Sequence, residues 1–205
     1  PYHEMAQKNR LPPIRPCSPA ENRLLFGQKI HDCQHFVKWF DLYLNKEGVE
    51  FLVERKNDNV KEIKILTGLS SNEHEINEEL HKYVVTKTKE LEQKGISLEM
   101  RINTGRHNKD IPHDRYLIGS NVVYSVPSYT TMVKGRYSEF HKTENIPPFD
   151  ESWNASNSFD IVKDWDKIHG LKVNCDECGK EFVPPFTPDG VRPVYCRDCF
   201  QNKKN

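Results

Sequence analysis

The chain has 205 residues, of which 36% are hydrophobic and 29% charged, and its 30 Lys and Arg balance its 30 Asp and Glu. This length allows one full hydrophobic core and one small additional module. The balanced charge excludes a bulk polycation, so nucleic-acid binding would need a local basic patch. The apolar runs are far shorter than the roughly 20 residues that span a membrane. We therefore expect no membrane span, no secretory signal and a cytoplasmic location.

The first residues differ in composition from the rest of the chain. Residues 1–17 are rich in Pro, Lys and Arg and predict an extended basic arm. At Ser18 a capping residue precedes Pro19, and Glu21 completes a capping box, so a helix is expected to begin here. Apolar residues then recur every three or four positions as far as Leu44, which fits a single helix to about residue 45. An alternative interpretation ends the helix near Asp32 and makes the aromatic segment 35–43 a strand.

The middle of the chain carries a βαβ pattern. Residues 62–68 alternate apolar and polar side chains, which is typical of a half-buried strand. Ser70 or Ser71 can cap a long helix over residues 72–94, and residues 96–102 alternate again. Two strands joined by such a helix predict a parallel pair.

Further elements complete an α/β domain over residues 18–170. Residues 116–118 and 121–126 look like the two strands of a hairpin, and a short closing helix is expected between residues 153 and 165. The remaining residues, 171–205, are expected to form a separate small domain.

The four cysteines near the end of the chain are the strongest motif. Two C-x-x-C pairs are separated by 17 residues, a spacing that indicates a four-cysteine zinc site, and their residues are Cys175, Cys178, Cys196 and Cys199. Four thiolates leave no open position for water, so the predicted zinc is structural. The segment between the pairs is expected to form a hairpin that covers the metal. Residues 173–201 closely resemble a C-x-x-C domain found across archaea and bacteria, a zinc ribbon without a settled function.

A second candidate site contains His113 and Arg115. Residues i and i+2 of a strand point to the same face, so an imidazole and a guanidinium would lie together. A histidine nucleophile and a phosphate-binding cation would need this arrangement. An ordinary surface pair is the alternative for such a motif.

The order of elements over residues 35–165 resembles the phospholipase D-like superfamily, whose H-x-K-x-x-x-x-D motif supplies a histidine, a phosphate-binding lysine and an orienting aspartate. The resemblance implies a mixed sheet flanked by helices and puts His113, Arg115 and Ser120 at the three motif positions. Ser120 lacks the charge of the aspartate, so the resemblance favours a degenerate site. Asp41, expected at the exit of a strand near His113, could supply a carboxylate or be a solvated or capping residue.

Other cations could extend a nucleic-acid contact. Lys134, Arg136 and Lys142 are interleaved with aromatic residues, while Arg192 lies shortly before the second cysteine pair and Arg197 lies within it. An ordinary amphipathic surface is an equal alternative for the first group.

Three functions therefore compete. The favoured one is binding of a phosphate-bearing polymer, above all nucleic acid, through a catalytically degenerate phospholipase D-like domain and the zinc domain. The second is a homodimeric, metal-independent nuclease or phosphodiesterase that uses His113. The third is a module that binds protein or lipid headgroups. A homodimer or a larger complex is compatible with each.

Overall fold

The computed structural model of the chain describes eight stretches: residues 18–68, 76–104, 115–135, 139–145, 147–169, 173–182, 184 and 192–203. Several residues of the sequence-based hypotheses lie outside these stretches. They are the basic arm, Ser70, Ser71, His113 and Arg136.

Seven strands form one mixed sheet in the order β6-β5-β4-β1-β2-β3-β7. The strands are β1 (Phe36–Phe40), β2 (Glu62–Gly68), β3 (Ser97–Asn103), β4 (Arg115–Gly119), β5 (Val123–Val126), β6 (His141–Lys142) and β7 (Ser158–Asp160). The three strands β1, β2 and β3 are parallel to one another, and the outer strands join the sheet in antiparallel pairs. This arrangement confirms the predicted α/β class with a mixed sheet flanked by helices.

Helices connect and cover the strands. They are α1 (Pro19–Asp32), α2 (Lys46–Arg55), α3 (Glu78–Glu92), α4 (Tyr129–Val133), α5 (Phe149–Trp153), α6 (Trp165–His169) and, in the last domain, α7 (Arg197–Asn202). Neutral side chains cap three of them: Asn45, Asn77 and Ser128 each accept a hydrogen bond from a backbone N–H in the first turn of α2, α3 and α4. At α1, Pro19 is the first helical residue as expected, but the Ser18 side chain makes no capping hydrogen bond.

The apolar stripe between residues 26 and 44 belongs to two elements. Helix α1 ends at Asp32, and β1 begins at Phe36 after His35, which adopts a positive φ of 62°. The interpretation as one helix to residue 45 is therefore wrong, and the strand alternative is right. Within β1 the side chains of Val37 and Trp39 are fully buried, as the period of two in a strand requires.

The predicted βαβ unit is present with shifted bounds. Strands β2 and β3 pair in parallel over their full lengths. The connecting helix begins at Glu78, six residues later than expected from the sequence, because Asn77 is its cap and accepts from the N–H of Leu80.

The hairpin around Gly119 is confirmed by the antiparallel pairing of β4 with β5. The single closing helix expected between residues 153 and 165 is wrong, since α5 ends at Trp153, α6 begins at Trp165, and strand β7 lies between them. This strand pairs with β3 and closes one edge of the sheet.

Two hydrophobic clusters hold the sheet, one on each face. The larger contains the buried side chains of α1, α2 and α3, with Phe26 packed edge-on against Trp39 at 5.2 Å between ring centroids. The smaller lies on the opposite face, where Phe149 and Trp153 of α5 cover Phe40 and Leu66. Neither cluster includes a described residue of the cysteine domain, which is consistent with a separate core for that domain.

None of the helices formed by the described residues combines the length and the apolar character that crossing a membrane requires.

Candidate anion site and zinc centre

The carboxyl ends of the parallel strands lie together at one edge of the sheet. The chain leaves β1 through Asp41, and β4 begins beside this point because it runs antiparallel to β1, with Tyr116 opposite Phe40. Strand β1 has β2 on one side and β4 on the other, and the connection that leaves β1 and the hairpin that leaves β4 run in opposite directions along the sheet. Ligands of open α/β sheets bind in the crevice at such a carboxyl end. This edge is therefore the first place to look for a site.

Asp41 is fully buried at this edge. One of its carboxylate oxygens, Oδ1, accepts hydrogen bonds from Arg115 Nε at 3.1 Å and from the backbone N–H of Tyr43 at 3.0 Å. The other, Oδ2, accepts from the backbone N–H of Tyr129, the first residue of α4, at 3.0 Å. The carboxylate thus joins β1, β4 and α4 at one point.

The surroundings of Asp41 act on its pKa in opposite directions. Burial raises the pKa of Asp41 and outweighs the hydrogen bonds from Tyr129, Tyr43 and Arg115, which lower it. The guanidinium and the two backbone donors are therefore what makes a charged carboxylate tolerable in this position.

Arg115 is the cation of the pair and keeps contact with solvent. Its side chain is 24% exposed, and its guanidinium carbon lies 5.1 Å from the centre of the Tyr43 ring. Within the described part of the chain, its one hydrogen bond uses Nε, so the two terminal amino groups remain for a ligand. A guanidinium with a free fork can bind two oxygens of one phosphate.

Ser120 does not lie at this edge. Its hydroxyl donates to the backbone oxygen of Gln34 at 2.8 Å, at the amino end of β1. Five residues of extended strand separate it from Arg115, which corresponds to about 16 Å. The residue at the aspartate position of the motif therefore cannot orient a group beside Arg115, and the carboxylate at that end of β4 is Asp41. The preferred interpretation of Asp41 as a solvated residue is wrong, since it is buried, although its bond to Tyr129 N is a capping contact at the start of α4.

The cations after α4 form a weaker group. Lys134 and Lys142 are both exposed. Two aromatic residues near them in sequence, Tyr129 and Phe140, do not offer stacking surfaces, because both are buried in the main core, where Phe140 stacks on Phe26 at 5.6 Å. The interpretation of this segment as a groove of basic and aromatic residues is therefore wrong as far as Tyr129 and Phe140 are concerned.

The first cysteine pair lies on a tight turn within a small hairpin of β8 (Val173–Asn174) and β9 (Glu181–Phe182). The N–H of Gly179 donates to the Cys175 carbonyl at 2.8 Å, and Gly179 has a φ of 70°. A residue with a side chain is strained at this φ, so the turn that presents both sulfurs depends on glycine.

The second pair lies at the beginning of a helix. Cys196 is the N-cap of α7, and Cys199 is in its first turn. Helix N-termini favour thiolates, because backbone N–H groups and the helix dipole stabilise negative charge there. The described residues form a short β8–β9 hairpin around the first pair, whereas the predicted hairpin over residues 180–195 stays a prediction. Most of the remaining interval lies outside the described residues.

The four sulfurs fit a zinc ion. All lie within 4.8 Å of one another, and Cys178 Sγ is 3.7 Å from Cys196 Sγ. A tetrahedral site with Zn–S bonds of about 2.3 Å requires sulfurs about 3.8 Å apart. The distance also excludes a disulfide between these two residues, since that bond measures about 2.05 Å. The donor set of four soft ligands suits zinc, which would hold the hairpin and α7 together without an open coordination position.

Backbone N–H groups around the cluster favour the thiolate form of one cysteine, which is the form that binds a metal. Burial opposes ionisation of Cys175, but the backbone N–H groups of Cys196, Cys178 and Glu177 lower its pKa to about 6. The N–H of Cys196 lies 3.2 Å from Cys175 Sγ. Hydrogen bonds to the three other thiols raise the pKa of Cys199, so the metal-free cluster retains protons that zinc would displace.

The cations of this domain differ in their surroundings. Arg192 and Arg197 are exposed, as the nucleic-acid hypothesis requires of contact residues. Lys203 is paired with Glu177 at 2.7 Å and lies 4.1 Å from the centre of the Tyr195 ring. Lys203 is therefore paired with an anion and is not part of an open basic patch.

Residues 170–204 match a family described as a probable treble clef zinc finger. No curated protein matches the chain significantly.

Two solved structures are similar to this chain over part of its length. One is a phospholipase D family member, Nuc from Salmonella typhimurium, with 17% identity, a TM-score of 0.44, and coverage of 67% of this chain and 89% of that protein. The other is TrmBL2, an archaeal chromatin protein described as having a novel mode of DNA binding, with 17% identity and a TM-score of 0.34. The match covers 66% of this chain and 46% of TrmBL2. The sulfur geometry and the family match together identify residues 170–204 as a zinc-binding domain similar to the treble clef fingers.

Proposed function

We propose that this chain binds a phosphate-bearing polymer, nucleic acid above all, through Arg115 on the α/β domain and through Arg192 and Arg197 of the zinc finger. The observation that carries the proposal is the partly exposed guanidinium of Arg115 at the carboxyl end of the parallel strands. It is held there by the buried Asp41 carboxylate through Nε, and its terminal amino groups have no hydrogen bond to the described residues.

His113 is proposed as a second contact, because it lies two residues before Arg115 in sequence. Lys134, Arg136 and Lys142 are proposed as peripheral phosphate contacts. Such contacts contribute affinity through counterion release and carry no sequence information. Binding without substantial hydrolysis is the proposed outcome, and a His113→Ala variant should bind more weakly.

Fluorescence anisotropy of single-stranded and double-stranded oligonucleotides, each as DNA and RNA, tests the proposal. The protein should bind at least one of these in low salt, and Arg115→Ala should weaken that binding about tenfold or more, the range for a charge-assisted hydrogen bond. Lys82→Ala is the matched control, since it removes an exposed cation whose ion pair among the described residues is with Glu78 on the same helix.

Two results would reject the proposal. One is equal affinity of the parent protein and Arg115→Ala for every oligonucleotide. The other is cleavage of an oligonucleotide at a rate that His113→Ala abolishes, which would favour the homodimeric phosphodiesterase.

A further inference from the structure

The burial of Asp41 is costly and needs an explanation. Replacing a buried ion pair by apolar residues is often neutral or stabilising, so fold stability alone does not call for a carboxylate here. The two backbone N–H groups that donate to Asp41 do not require a charged carboxylate as their acceptor either. Elsewhere in this chain, neutral side chains such as Asn45 and Asn77 accept the same kind of backbone hydrogen bond at helix starts.

Helix α4 in particular already has a cap. Ser128 accepts from the N–H of Thr131 at 3.2 Å, so the bond from Tyr129 N–H to Asp41 is an additional contact. The partner of Asp41 that specifically benefits from a full negative charge is Arg115.

The contact between Asp41 and Arg115 pairs two charges and also restricts the orientation of the guanidinium. Asp41 Oδ1 accepts a hydrogen bond from the Nε–H of Arg115, which restricts rotation of the planar guanidinium, and the guanidinium carbon lies over the Tyr43 ring, 5.1 Å from its centre. With Nε engaged by Asp41, the fork of the two terminal amino groups has no hydrogen-bond partner among the described residues. Lysine has no Nε–H donor on a planar group and could not keep this geometry.

We infer that Asp41 is a positioning residue for Arg115, fixing the guanidinium so that both terminal amino groups reach two oxygens of one phosphate group. The inference rests on the proposed function and adds the chemistry of the ligand: a phosphate with at least two unesterified oxygens. Both the phosphodiester of a nucleic-acid backbone and a terminal phosphate monoester satisfy this requirement.

A double-mutant cycle tests the inference. Affinity for a fluorescent single-stranded oligonucleotide, with and without a terminal phosphate, is measured for the parent protein, Asp41→Asn, Arg115→Lys and the double variant. Each single variant should lose about tenfold in affinity, the equivalent of about 1.4 kcal/mol, and the double variant should lose little more. Asp150→Asn is the matched control, because it also removes one carboxylate from an ion pair, with Lys38 at 2.8 Å, and should bind normally.

The two oligonucleotides separate the sources of the phosphate. Equal losses for both assign the contact to a backbone phosphodiester, and a loss confined to the phosphorylated one assigns it to the terminal monoester.

The inference and the proposed function fail separately. Unchanged binding by Arg115→Ala would reject the function. Weakened binding by Arg115→Ala together with normal binding by a folded Asp41→Asn would overturn only the positioning role, as would fully additive losses in the cycle.

A measurement on the parent protein covers the case in which Asp41→Asn does not fold. The Nε–H of Arg115 should exchange slowly with solvent in NMR spectra, and adding inorganic phosphate should shift its terminal amino signals while leaving Nε–H protected. Arg197 is the exposed reference. Exchange of Arg115 Nε–H as fast as that of Arg197 would overturn the inference.

Discussion

Removing the Arg115 side chain should destabilise the protein, because it leaves Asp41 as a buried charge without its cation. Breaking a buried ion pair in this way costs about 3–5 kcal/mol. Two features of the structure reduce the expected cost: the Arg115 side chain is 24% exposed, and two backbone N–H groups still donate to the carboxylate. We therefore expect Arg115→Ala to lower the free energy of unfolding by about 2–3 kcal/mol.

The cost should depend on pH with a definite sign. Removing Arg115 takes away a group that lowers the pKa of Asp41, so this pKa rises further above its ordinary value. A carboxyl whose pKa is higher in the folded than in the unfolded protein binds protons more readily when folded. Its destabilising effect is therefore complete above the folded pKa and disappears below the unfolded value of about 3.9. The difference between the parent protein and the variant should shrink as pH falls.

Urea titrations at neutral and mildly acidic pH measure both effects, with Lys82→Ala as the control. The Lys82–Glu78 pair is exposed at both ends, with a distance of 3.0 Å, so its loss should cost about 1 kcal/mol or less. A variant Arg115→Ala as stable as Lys82→Ala at neutral pH would refute the reasoning, and so would a difference that grows on acidification.

Three further predictions concern other parts of the molecule. Gly119→Ala should cost about 1–3 kcal/mol in urea titrations, because its Cβ would lie 2.7 Å from Cys33 Cβ and 2.8 Å from Cys33 Cα; an unchanged midpoint would contradict this. Asn77→Ala should cost about 1 kcal/mol through loss of the α3 cap, whereas Asn202→Ala, in the exposed last position of α7, should cost less. The protein should contain one zinc by elemental analysis and lose it in Cys199→Ser, and chelation should collapse the amide dispersion of the finger while the α/β domain keeps its own; metal-free protein with a folded finger would contradict this.

Local sequence patterns predicted the parts of the fold that local physics controls. Strand β3 alternates over most of its length and strand β2 over its first four residues, and the cysteine spacing requires no knowledge of the surrounding fold. The stripe after Phe26 was ambiguous because an apolar spacing of three or four residues fits a helix, while Val37 and Trp39 also satisfy the strand period. Only the pairing of β1 with β2 and β4 decides between them.

The candidate anion site was only partly predictable. Arg115 was identified from its motif position, but its partner Asp41 is 74 residues away in sequence, and no local pattern connects the two. An aspartate directly after a buried strand was the available signal, and it is equally typical of a solvated turn. Whether Ser120 lies beside the site depends on the end of β4 at which it is placed. That end is set by the direction of the strand in the sheet and not by composition.

The salt dependence of nucleic-acid binding tests the central claim most directly. Each phosphate contact contributes about 0.7–0.9 to the slope of log K against log salt concentration. If Arg115 binds a phosphate, the slope for Arg115→Ala should be smaller than that of the parent protein by about one contact. Parallel lines for the two proteins, with Lys82→Ala also parallel, would show that Arg115 makes no phosphate contact and would contradict the account.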